Sequence, residues 1–230
     1  MALSKPYKLN RTAKFAAVGL LAASLLAPAI EGGGFRADAA SVPVATAVLE
    51  KLSVKGRAPK TGYARDLFSD GWGNIAGCDT RNFILKRDLS SITWRSGETC
   101  MVATGRLVDP YTGKTINFVR GVKTSLAVQI DHVVAVSDAW QKGAQQITPK
   151  ARYAFYNDPL NLLAVDGPTN SAKGDSDAAT WLPPNKSFRC AYVARQVAVK
   201  AKYKLWVTAA EKAAIKGILA KCPKQPIPSA

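Results

Sequence analysis

The sequence predicts an α+β domain stapled by disulfides, and three observations carry that expectation. Four cysteines follow a leader of the exported type. Short apolar runs bounded by turn formers fill the middle of the chain, and a basic helical segment closes it. Around the single histidine, His132, two strand-like runs and one helix-like run follow in order.

Residues 1–39 read as a signal peptide. Lys5, Lys8, Arg11 and Lys14 open it, Phe15 to Ile30 is apolar, and Ala37-Asp38-Ala39 is a small-x-small cleavage site near Ala39. The alternative is an uncleaved anchor, although the apolar run is short of the roughly 20 residues that span a bilayer. Residues 40–230 then form a single domain, with no membrane segment after cleavage. The whole chain carries 32 Lys and Arg against 16 Asp and Glu; beyond the leader the counts are 27 and 14. An excess of this size favours polyanionic partners, nucleic acid above all, over neutral ligands, unless it only solvates the surface.

An even cysteine count in an exported chain implies two disulfides. Of the three pairings, Cys78–Cys100 and Cys190–Cys222 are favoured, since each is local and brackets one supersecondary unit. The lack of a C-x-x-C pair and the single histidine, which cannot complete the usual ligand sets, argue against a zinc site.

Along the chain, Ala45 to Val54 predicts a short helix, followed by a basic linker. Asp70 to Asn82 is an ordered loop rich in turn formers. Asn82 to Leu89 is either helix or strand. Cys100 to Phe118 predicts two strands joined by a turn at Asp109 to Gly113, the small N-terminal β region. Leu126 to Ile130 is the next strand. Thr148 to Tyr156 predicts a helix, with Thr148 as N-cap and Pro149 in its first position. Asn161 to Val165 is a short strand, and a helix follows from Thr169. Basic helices occupy 186–222. The first places Lys186, Arg189, Lys200 and Lys204 on one arc beside Phe188, Tyr192, Val199 and Tyr203. The last opens with a capping box, Thr208 to Glu211.

The chemistry gathers around "AVQIDHVVAVSDAW". Asp131 and His132 end a strand, Asn161 heads the next, and Asn170 and Lys173 lie one helical turn apart. Such a strand–strand–helix unit, spanning about 126–180, can bring Asp131, His132 and Asn170 to one point. Asp131 and Asn170 offer hard oxygens suited to one Mg²⁺, or Mn²⁺. His132, beside such an ion but not bound to it, can take a proton from water. Lys173 can face the same phosphate, and Asn161 can fix the loop that presents His132. An unperturbed imidazole protonates near pH 6.5, so activity should decline below that; a nearby cation would lower the midpoint and Asp131 would raise it. Taken singly, each residue reads as a structural histidine, a cap or a turn.

The string "DH…N…N..K" resembles the HNH, or ββα-metal (His-Me finger), nuclease superfamily. The nine-residue step from Asn161 to Asn170, with Lys173 three further on, is also that of the HNH domain in RNA-guided CRISPR effector nucleases. The wider pattern is similar to the family related to the C-terminal domain of GmrSD-type restriction endonucleases, in a secreted form. "CDTRNFILKRDL", "DPYTGK", "NDPLNLLAVDGPTNSAKGD" and "ATWLPP" carry it. The resemblance implies a ββα-metal core with added helices, and metal-dependent hydrolysis of phosphodiesters. It matches Asp131 and Asn170 to metal ligands, His132 to the general base and Asn161 to the structural asparagine. Many members have histidine where Asn170 stands, and the amide oxygen favours Mg²⁺ or Mn²⁺ over Zn²⁺. The gap between His132 and Asn161 is long for the superfamily, so an extra helix is expected over the motif. Arg81 and Arg87 are candidate phosphate contacts, with salt bridges to Asp79 or Asp88 as the alternative; Lys186, Arg189 and Lys200 are candidates on the basic helices.

The function this implies is a secreted endonuclease acting on DNA, with RNA also open to a water nucleophile, and largely without sequence specificity. The alternatives are a non-catalytic exported module that binds nucleic acid or an anionic polymer, and a phosphoesterase on another substrate. A protein inhibitor guarding the producing cell is a further conceivable partner.

Overall fold

The computed structural model describes residues 42–228, so the leader expected over 1–39 lies outside the described residues. The chain folds as a mixed α/β structure with both expected disulfides, Cys78–Cys100 and Cys190–Cys222. These close loops of 22 and 32 residues. In the chain-entropy picture each stabilises by roughly 3–4 kcal/mol. Replacing Cys190 and Cys222 by serine is therefore expected to lower the unfolding free energy by about that amount. Urea titration of the double variant checks this, and an unchanged midpoint would show that the bridge constrains nothing.

Helix α1 (Ala45–Lys51) packs Ala45 and Leu49 into the core. An irregular strap follows and leads to the ribbon β1 (Asn74–Ile75) and β2 (Cys78–Asp79). The segment left open between helix and strand is a helix, α2 (Thr80–Asp88). Asp79 decides it, accepting from the Asn82 backbone N–H at 2.8 Å as an N-cap. The strands β3 (Ser90–Trp94), β4 (Val102–Val108) and β5 (Thr115–Val119) form an antiparallel sheet in that order. The turn at Asp109 to Gly113 joins β4 to β5 as expected, closed by Gly113 N–H to Asp109 O at 2.8 Å. Strand β3 was not expected. Its alternation of apolar and polar residues runs only from Ser91 to Trp94, and none of its five residues is buried, so it is a short run outside the core.

Strand β6 (Val128–His132) pairs antiparallel with β7 (Leu162–Asp166), Asp131 opposite Leu163 and His132 opposite Leu162. The expected strand began two residues too early. Leu126 lies in a 3₁₀ turn, 63 % exposed, and its carbonyl passes under the start of the helix that begins at Gly167. A Cβ at Gly167 would sit 2.0 Å from Leu126 O, so only glycine permits this crossing. Asn161 belongs to the 3₁₀ turn before β7.

Between β6 and β7 run α3 (Val136–Ala139), which continues as a wider turn to Ala144, and α4 (Pro149–Tyr156). Thr148 caps α4 and Pro149 opens it. After β7 comes α5 (Gly167–Lys173), capped by Asp166, which accepts from Thr169 N–H at 2.8 Å.

The C-terminal helices are α6 (Arg189–Lys202) and α7 (Ala209–Leu219). The expected basic arc is broken: Lys186 and Lys204 are exposed and Arg189 is half-buried, but Lys200 faces inward. Helix α6 runs through the centre, its Val193 and Val197 in one apolar cluster and its Ala198 and Val199 in another. Lys200 is fully buried, which corrects its reading as a substrate contact. Its Nζ lies 2.8 Å from Glu211 and 3.4 Å from Asp138. The capping box of α7 is correspondingly half-formed. Thr208 accepts from Glu211 N–H at 3.1 Å, but the Glu211 carboxylate turns inward to the buried lysines.

Candidate active site

Side chains alternate along a strand, so Gln129 and Asp131 leave one face of β6 and Ile130 and His132 the other. Helix α5 lies over the first face. Asn170 donates from Nδ2 to Gln129 Oε1 at 2.8 Å, which leaves its Oδ1 as an acceptor. One turn later Lys173 reaches Asp131 at 2.9 Å and the His132 carbonyl at 2.8 Å. Lys173 is only 1 % exposed, so the expectation that it faces a phosphate is corrected. It holds the Asp-His corner from behind. The other oxygen of Asp131 accepts from the buried Tyr111 hydroxyl. Burial, with the Asp131 charge beside it, pushes the Tyr111 pKa well above the usual range for tyrosine, so this hydroxyl stays a donor.

His132 points toward α4. Its Nε2 lies 2.8 Å from the Tyr156 carbonyl. A carbonyl only accepts, so Nε2 carries the proton and Nδ1 keeps its lone pair. Trp72 stacks parallel to the ring at 5.8 Å, and the Tyr156 ring flanks it at 4.4 Å. Burial, then the Arg65 charge, pull the imidazole pKa down to about 3 against the opposing Tyr156 bond, with Lys173 adding the least. The ring is therefore a neutral base at pH 7 and stays so well into acid.

Asn161 is wholly buried and grips the turn after His132. Its Oδ1 accepts from Val134 N–H at 2.9 Å, and its Nδ2 donates to Val134 O at 3.3 Å. Its backbone carbonyl accepts from Val133 N–H at 2.8 Å. Three bonds thus set where the chain goes immediately after the histidine.

Asp131, His132 and Asn170 line one cavity of about 290 Å³, with Tyr63, Arg65 and Asp175. Two hard oxygens at one cavity, Asp131 and the Asn170 amide oxygen, suit a divalent cation. Among the described residues, no cluster of three or more His, Cys, Asp or Glu offers an alternative metal site. Tyr63 and Arg65 carried no signal in the sequence, since nothing in "GYARDLF" ties them to a motif some 70 residues on.

The other basic candidates lie elsewhere. Arg81 donates to the carbonyls of Ser125 and Val128, at 3.4 and 3.1 Å. Arg87 pairs with Asp88 at 2.6 Å and donates to the carbonyls of Pro159 and Leu162. Both tie α2 to the paired strands, which is the structural alternative, and only Arg87 uses a carboxylate. Lys186 and Arg189 line a separate cavity beside Cys190 and Lys221.

The family that matches is nuclease-related. Its model, described as GmrSD restriction endonucleases, C-terminal domain, matches residues 79–218. That is more than half of the chain, and the chain belongs to this family. A relative from Arthroderma benhamiae (strain ATCC MYA-4681 / CBS 112371), named "Uncharacterized secreted protein", is 37% identical over 185 residues, which are 79% of this chain and 86% of the relative. No solved structure matches the chain.

Proposed function

We propose that this protein is a secreted endonuclease of the HNH, ββα-metal type. It hydrolyses phosphodiester bonds in DNA, with RNA also within reach, and largely without sequence specificity. The observation that carries the reading is the state of His132. It is an imidazole whose Nε2 is committed to a carbonyl, beside two hard oxygen donors in one cavity. In the reaction His132 Nδ1 takes a proton from water, the water oxygen attacks phosphorus, and the bond to the 3′-oxygen breaks. A divalent ion on Asp131 and Asn170, Mg²⁺ or Mn²⁺, would supply Lewis-acid stabilisation of the phosphate and of the leaving oxygen. Lys173 and Tyr111 orient Asp131, and Asn161 holds the turn beyond the base. Export is supported by the leader pattern, the two disulfides and the secreted name of the relative.

Plasmid nicking with Mg²⁺, with EDTA and after Mg²⁺ is restored tests the proposal. Loss in EDTA and recovery with metal is expected; full activity in EDTA after dialysis would sink it. Retention of plasmid without cutting under any metal would favour the binding module. Cleavage of a chromogenic phosphodiester but not of DNA would favour the phosphoesterase. Asn170→Ala is the cleaner ligand variant, expected to weaken Mg²⁺ activation while keeping the fold. Asp131→Ala would also leave Lys173 buried without its carboxylate.

A further inference from the structure

We infer that Arg65 is a ligand of the scissile phosphate, so that a strap outside the matched family segment completes the site. The inference rests on the nuclease reading and adds a residue to it. Arg65 lies outside the matched span of 79–218. It nevertheless lines the same cavity as Asp131, His132 and Asn170.

The strap that carries it is anchored on both sides. Before it, Lys55 N–H bonds Val207 O at 3.0 Å and Ala58 N–H bonds Gln141 O at 2.8 Å. Arg57 pairs with Asp138 and Asp177, at 3.0 and 2.8 Å. After it, Phe68 is 2 % exposed and packs on Phe155 and Trp140. Between these anchors the Arg65 guanidinium lies over the Tyr156 ring at 5.1 Å and donates to the Tyr156 hydroxyl at 3.2 Å. Tyr156 is also the residue whose carbonyl orients His132. One side chain thus sets the guanidinium while its own backbone sets the base.

What remains on Arg65 is charge and donors. Among the described residues it makes no ion pair, whereas Arg57 and Arg87 have carboxylates and Arg81 donates to carbonyls. Its residue is exposed to solvent at the cavity. A planar guanidinium with free donors matches two oxygens of a phosphate, which a lysine ammonium does not reproduce. Its charge opposes the negative charge that builds on the non-bridging oxygens as water attacks, so it should act on turnover more than on affinity.

The test uses the wild type, Arg65→Lys and Arg65→Ala, each with Mg²⁺. Plasmid nicking gives kcat and KM, bis(p-nitrophenyl) phosphate gives a small-substrate rate, and thermal unfolding reports the fold. Arg65→Ala should lose on the order of 10²–10³ in kcat on both substrates, with little change in KM and in the unfolding midpoint. Arg65→Lys should recover only a minor part of that loss. A folded Arg65→Ala that cleaves at the wild-type rate overturns the inference. So does a folded Arg65→Lys at the full rate if the alanine variant proves unstable. A wild type that cleaves neither substrate overturns the nuclease reading itself, a result distinct from either.

Discussion

Replacing His132 by alanine is expected to lower cleavage on the order of 10²–10⁴-fold while nucleic-acid binding survives, since general-base loss typically has that size. Asp131, Asn170 and Arg65 would all remain. The residue is buried beneath Trp72, so the fold must be measured on the same preparation. Binding and cleavage lost together, with a lowered unfolding midpoint, would mark His132 as a packing residue. A stable variant that nicks at the wild-type rate would remove it from the mechanism altogether.

The same residue sets a pH dependence that composition does not foretell. With the imidazole drawn down to about 3, kcat/KM should hold steady through pH 6.5 instead of halving there. Stability moves the other way. Between about pH 6.5 and 3 the unfolded chain binds a proton on His132 that the folded chain does not. The stability is therefore complete above about 6.5 and is lost as the pH falls through that window, by up to about 1.4 kcal/mol per unit. Urea titrations in EDTA at neutral pH and near pH 4.5 should show wild type losing more than His132→Ala; equal losses would contradict the depressed pKa.

Glu211→Ala is expected to destabilise the protein by about 3–5 kcal/mol, a large part of the 5–15 kcal/mol that holds a typical domain. Lys142 Nζ lies 2.7 Å from each of Asp138, Asp177 and Glu211, and Lys200 approaches Glu211 and Asp138. All five are under 4 % exposed. Together they join α3 and its extension, the turn after α5, and both C-terminal helices. Removing one shared carboxylate leaves two buried ammonium groups short of compensation. Glu50 pairs with Lys212 and Lys216 at the surface, so Glu50→Ala should change little in the same urea titration. If the two variants unfold alike, the buried network contributes no net stability.

What depends on neighbours a few residues apart was legible before any tertiary contact was known. Thr148 and Pro149 start α4 and Asp109 to Gly113 turns β4 into β5, because a cap or a tight turn needs only its own backbone; the helix expected from Thr169 starts earlier, at Gly167, with Asp166 as its cap. The order of Asp131, His132, Asn161 and Asn170 was equally readable, since strand period and helical turn place such residues before any packing is known. The family too was readable from those strings. The fate of the charges was decided by tertiary structure alone. Lys173 meets Asp131 across 42 positions and Lys200 meets Asp138 across 62, so both lysines entered the core although nothing beside them in the chain marks them as buried. Arg65 reaches Tyr156 across 91 positions and enters the cavity from a strap with no motif of its own. The tautomer of His132 arises in the same way, from a carbonyl on α4, and its depressed pKa from burial and then from the Arg65 charge on the strap. Periodicity places a side chain on a face, but whether a charged group there meets water, a carboxylate or a substrate depends on what the rest of the chain brings against that face.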